Sequence, residues 1–163
     1  MAIMPDGMTS DDSELSSAEK AAVITRALPG VRVYWGSVSA VRALSFTRRA
    51  VGAPDVADQQ VVFQAACAAR GWTAGGSVCQ LGGGLAAWAA VLRMVRTGGY
   101  DVVVVDSIDR IAAMDAGRSA VLGMLRREGV RLLAAHDGID TGDPIGADLV
   151  GSLVGAARVA VAR

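Results

Sequence analysis

A chain of 163 residues, 52% hydrophobic but only 4% aromatic, is long enough for one domain whose core is built from Ala, Val and Leu rather than rings. Its formal charge is zero, which argues against a protein that grips nucleic acid by charge alone. Lys20 is the only lysine among 16 basic residues and has no glycine loop before it, which excludes a P-loop and leaves no good Schiff-base candidate.

Taken in order, residues 1–17 are polar and acidic (Asp6, Asp11, Asp12, Glu14) without a period, and a disordered tail is expected there. Residues 18–40 read as an extension: Ser16 or Ser17 caps a short helix from Ala18 to Leu28, Pro29-Gly30 stops it, and Val31–Trp35 alternates like an edge strand. No apolar run approaches a membrane span and the amino terminus has no signal-peptide hydrophobic segment, so a cytoplasmic protein without a membrane partner is expected.

From Val41 a regular alternation begins. Val41–Thr47 predicts a strand running out into Arg48-Arg49-Ala50, and Val56–Arg70 a helix with Val56, Phe63 and Cys67 near one face and Gly71 as its stop. Thr73–Cys79 is a weak strand leading through Gly82-Gly83-Gly84 to an Ala-rich helix over Leu85–Thr97, broken by Gly98-Gly99. Val102–Val105 is a continuous β-branched run, the mark of a strand buried on both faces. Asp115 is expected to cap the next helix, with Gly117, Val121, Met124, Leu125 and Glu128 along one stripe, and Val130–Ala135 to form another buried strand. Asp143 as N-cap and Pro144 at the first helical position open the last helix, which aligns Ile145, Leu149, Leu153 and Ala156 on one face. Strand–helix alternation of this kind means an α/β sandwich with a mostly parallel sheet.

Several features carry chemistry or fail to. Asp106 and Asp109-Arg110 stand just past the end of the Val102–Val105 strand, where open α/β sheets bind ligands. Gly82-Gly83-Gly84 lacks the spacing of a dinucleotide loop and reads as a flexible connection. Cys67, Cys79 and His136 share no metal-ligand spacing, so no metal or cofactor is expected, and both cysteines read as small buried hydrophobes. Gly151 and Gly155 form a GxxxG that in a soluble helix reports small residues at a crossing.

Together these pieces resemble the catalytic domain of the serine site-specific recombinases, the resolvase/invertase family, over about three-quarters of the chain, Val41 to Arg163. Phe46-Thr47-Arg48-Arg49-Ala50 sits where the family writes Tyr-x-Arg-x-Ser. Asp58-Gln59 and Ala66 through Ala69-Arg70-Gly71-Trp72 match the helix that follows, and Asp101 through Asp106 to Asp109-Arg110-Ile111 matches the family's Asp-Val-apolar-x-x-Leu-Asp-Arg-Leu block. Gly129-Val130-Arg131-Leu132, His136 through Thr141, and Pro144-Ile145-Gly146 match the last strand, its loop and the start of a long helix.

The resemblance implies a three-layer domain, its central sheet flanked by helices, with a long C-terminal helix. Its chemistry in intact members is serine attack on a DNA phosphodiester, with arginines neutralising the phosphate. Arg48, Asp109 and Arg110 keep family identities, but the nucleophile position is Ala50, a methyl group. Residues 71–92 lack the arginine the family places before its second helix, Ala113 replaces another, and the usual Glu-Arg pair of the long helix reads Ala160-Val161 or nearby. No DNA-binding module is read after that helix, so DNA binding by this chain alone is expected to be weak. Three functions compete on this reading: an inactive module acting as a homodimer, or a mixed dimer with an active recombinase, through Ile145, Leu149, Leu153 and Ala156; a recombinase with a substituted site; or an α/β module holding a small anion or nucleotide on Arg48, Asp109 and Arg110.

Overall fold

The computed structural model describes residues 40–161. The expected tail, the helix Ala18–Leu28 and the edge strand Val31–Trp35 lie outside them.

In chain order the elements are β1 (Arg42–Arg49), α1 (Val56–Arg70), β2 (Thr73–Leu81), α2 (Ala87–Arg96), β3 (Val102–Val105), a single 3-10 turn (Ile108–Arg110), α3 (Asp115–Arg127), β4 (Arg131–Ala134), β5 (Ile139–Asp140) and α4 (Pro144–Val161). They build one five-stranded sheet in the order β2-β1-β3-β4-β5. The first four strands run parallel, and β5 returns antiparallel on β4 through Leu133↔Asp140 and Ala134↔Ile139.

Alternation along the strands divides the core in two. On one face Leu44, Phe46, Val103, Val105, Leu132 and Ala134 pack with residues of α2, α3 and α4. On the other, Ala43, Val102, Val104 and Leu133 pack under Phe63, Ala66 and Cys67 of α1. This is why Val102–Val105 shows no polar residue: all four side chains are buried, two on each face. Rings are few, and Phe46 stacks on Trp88 with centroids 4.1 Å apart, a pairing worth about 1 kcal/mol beyond its burial.

Local chemistry explains the boundaries. Gly71 closes α1 in the left-handed conformation (φ 64°), its N–H turned back to Ala68 O. Asp143 caps α4 as expected, its carboxylate accepting the Ile145 N–H at 2.9 Å. A side chain at Gly146 would collide with the Asp140 backbone (2.2 Å from the Cβ position to the carbonyl oxygen), so glycine there lets α4 close onto β5. Gly75-Gly76 lies at a shift in the β1–β2 register, where the Gly76 N–H donates to the Tyr100 hydroxyl at 3.0 Å.

Four expectations are corrected. Asp115 does not cap α3: Met114 occupies the N-cap, and Asp115 is the first helical residue, ion-paired with Arg118. Of the expected α3 stripe Val121 and Leu125 are buried and Met124 packs partly buried against the core, joined by Leu122 and Gly123, while Glu128 stands outside on an ion pair with Arg96, because a carboxylate with a surface arginine in reach stays in water. Cys79 is exposed, since β2 is an edge strand; Cys67 is buried, and burial pushes its thiol pKa up. The strand β5 went unread because two residues are too short to show a period.

Candidate functional site

β1 continues two residues past its expected end, through Arg48 and Arg49, so Arg48 lies inside the sheet. The connection after β1 leads to α1 on one face and that after β3 to α3 on the other, which opens the crevice between these strand ends that α/β sheets use for ligands. Arg48, Ala50, Asp106 and Arg110 all belong to these two strand ends.

Arg48 is 1% exposed and has no carboxylate partner among the described residues. Its guanidinium donates instead to backbone carbonyls: Nε to Arg110 O at 2.9 Å, Nη1 to Gly82 O at 2.7 Å, and Nη2 to Ile111 O at 2.9 Å and Gly84 O at 3.3 Å. Four of its five N–H donors are thereby spent. Burial lowers its pKa from the ordinary value, and the positive charge of Arg110 adds to the effect. The glycine loop expected to be flexible is therefore the seat of a buried cation. Trp88 Nε1 shares the same Ile111 carbonyl at 2.8 Å, tying α2 to the turn.

Gln59 fixes the strand end. Its Oε1 accepts the Arg48 N–H at 3.0 Å, and its Nε2 donates to Arg48 O at 2.8 Å and Pro54 O at 2.9 Å. The buried amide thus replaces a neighbouring strand just where β1 leaves the sheet. Ala50 follows, half-buried, its carbonyl accepting Ala53 N–H at 3.1 Å in the turn toward α1.

Arg110 turns its Nε toward Asp106 Oδ1 at 3.5 Å. Asp106 is 4% exposed, and the same oxygen accepts the Ser107 N–H at 2.8 Å. The Arg110 Nε itself is buried without a hydrogen-bond partner. Asp109 points outward and pairs with Arg118, which also binds Asp115. The structure thus brings Arg48, Arg110 and Ala50 to one end of the sheet and sends the Asp109 carboxylate to the surface. Reasoning from sequence missed Asp106 as the partner of Arg110, Gln59 as a backbone clamp and Arg118 as the partner of Asp109. The i to i+4 spacing of Asp106 and Arg110 was the one available signal.

Ile145, Leu149, Leu153 and Ala156 fall together on the outer side of α4, with the three large side chains 79%, 45% and 41% exposed. Gly146, Val150 and Val154 form its buried side. No group of three or more potential metal ligands occurs, and no helix is long and apolar enough to cross a membrane, among the described residues.

Comparison with known proteins adds three findings. The family described as resolvase, N-terminal domain, matches residues 48–160. The fold is similar to the N-terminal catalytic domain of TP901-1 integrase, with a TM-score of 0.65 and 16% identity over 72% of this chain and 95% of that one. It is also similar to a resolvase family site-specific recombinase from Streptococcus pneumoniae, with a TM-score of 0.60 and 18% identity over 74% of this chain and 90% of that one. A search of curated proteins by sequence found no match.

Proposed function

The chain belongs to the resolvase N-terminal domain family, and from that premise we propose that it is a member without strand-exchange chemistry, acting by association through α4 with a second copy or with an active recombinase. One feature carries the reading: Ala50, the residue after β1, stands where the resemblance puts the family's nucleophilic serine. A methyl group has no lone pair with which to attack phosphorus. In a coupled hydrolase site, loss of the nucleophile alone costs on the order of a millionfold in turnover.

The surroundings support it. Transition-state charge is stabilised by donors aimed at the reacting phosphate, whereas Arg48 aims its donors at four carbonyls of its own chain. Arg110 lies against the buried Asp106, which offsets its charge. The association half of the proposal rests on Ile145, Leu149, Leu153 and Ala156, an apolar row left in water.

Two measurements test the halves separately. Incubated with supercoiled DNA, the protein and its Ala50→Ser variant are both expected to give no covalent protein–DNA adduct; an adduct with either one overturns the inactive reading. Light scattering after size exclusion is expected to show a dimer, or a complex when a full-length serine recombinase is added. A strict monomer in both settings removes the association reading.

A further inference from the structure

The charged side chains of the described residues divide between the two ends of the sheet. At the crevice end, the starts of α1 and α3 and the loops after β3 and β4 present Asp55, Asp58, Asp109, Asp115 and Asp137, all exposed. Among the arginines there, Arg48 is buried on carbonyls, Arg110 lies on Asp106, and Arg118 is shared by Asp109 and Asp115. That leaves Arg49 as the exposed cation of this end without an ion pair among the described residues.

The far end reverses the balance. Helix α2 has no acidic residue and closes on Arg93 and Arg96, and α3 closes on Arg126 and Arg127, about 18 Å along its axis from Asp115. The two closing turns stand side by side, because Arg96 reaches across to Glu128, Nη2 to Oε1 at 2.6 Å and Nε to Oε2 at 3.0 Å. Arg93, Arg126 and Arg127 are exposed and make no ion pair among the described residues. Arg42 adds an exposed guanidinium at this end, held 5.1 Å over the Tyr100 ring, while Asp101 is taken up by the Arg42 N–H at 2.7 Å. Each helix end contributes only about half a negative charge, so two guanidiniums on each outweigh it even after Glu128 is counted. None of the exposed large hydrophobic side chains belongs to α2 or α3. A protein interface is built on such anchors; a phosphate backbone needs only the cations, and guanidinium groups match its oxygens in pairs.

We infer that the arginine surface formed by the ends of α2 and α3, on the side of the sheet away from Ala50, binds the phosphate backbone of duplex DNA without regard to sequence. DNA held there lies away from the crevice, whose carboxylates repel it. The surface is separate from the crevice and from the apolar row of α4, and the inference does not rest on the proposed function.

Fluorescence anisotropy of a short labelled duplex of arbitrary sequence, titrated with the full chain between about 50 and 200 mM salt, tests it. Binding is expected to be weak and steeply salt-dependent, with a slope of log affinity on log salt near about −3, as for three contacted phosphates. The double variant Arg93→Gln/Arg127→Gln is expected to lower the low-salt affinity at least about tenfold and to bring the slope to about −1. Both side chains are exposed, so circular dichroism should show the parent fold. Arg49→Gln, at the crevice end, is expected to leave affinity and slope unchanged. No binding at about 50 mM salt, a slope near zero, a folded double variant that binds like the parent, a loss caused by Arg49→Gln instead, or tighter binding to a polyglutamate chain than to the duplex each overturn the inference.

Discussion

The strand-end crevice and the outer side of α4 use their side chains in opposite senses. In the crevice a guanidinium is turned inward and bound by the chain's own carbonyls, and a second cation lies against a buried carboxylate. On α4 three large aliphatic side chains are turned outward. A phosphate-handling surface would show the reverse, with cations presented and aliphatics withdrawn. The difference teaches that residue type at a strand end does not settle role: Arg48 reads from the sequence as a cation for a phosphate, yet its donors serve the fold.

That contrast is open to attack at both ends. The largest effect is expected from Arg48→Met, which leaves four carbonyls without their donor; urea unfolding should lose roughly 3–5 kcal/mol, as when a buried polar network is broken. If the variant unfolds like the parent, Arg48 is a free cation after all and the contrast fails. Gln59→Leu should cost about 2 kcal/mol by orphaning the Arg48 backbone groups. A cost near zero would mean that water replaces the clamp.

A titration compares the crevice with the opposite end of the sheet. The side-chain hydrogen bond from Arg131, opposed in part by burial, holds the Asp140 carboxyl below its usual range. A group whose folded pKa is depressed contributes stability above its unfolded pKa and loses it as pH falls through the folded value. Stability should therefore decline from about pH 4 downward in the parent, with that decline reduced in Asp140→Asn. An unchanged acid limb would show that the pair does not set it. The smallest effect on folding is expected from Leu149→Glu, within about 0.5 kcal/mol because the side chain is already in water, with self-association or recombinase binding lost. Loss of fold instead of association would place Leu149 in the core and dissolve the comparison.

Much of this fold was legible in residue order. The helix Val56–Arg70 with its Gly71 stop, the buried valines, and the Asp143-Pro144 start of α4 each follow from local rules that act within a few residues. So does the inertness of the Ala50 side chain, because a methyl group lacks a nucleophilic atom in any fold. The candidate site was legible only in its members. Arg48 read as a strand-end cation, and nothing near it in sequence indicates that its acceptors are Gly82, Gly84, Arg110 and Ile111, as many as 63 residues away. Hydrogen-bond acceptors on the backbone carry no residue identity, so a sequence cannot show where a guanidinium will spend its donors.

The sequence by itself determined the alternation of elements, the family pattern and the alanine that follows β1. Only the tertiary structure decided that the glycine loop seats a buried cation, that Asp106 faces Arg110, and that Ile145, Leu149 and Leu153 stay outside while Val150 and Val154 turn in. Both helix faces are apolar by composition. Which one is buried depends on where α3 and the sheet stand, and that is a property of packing.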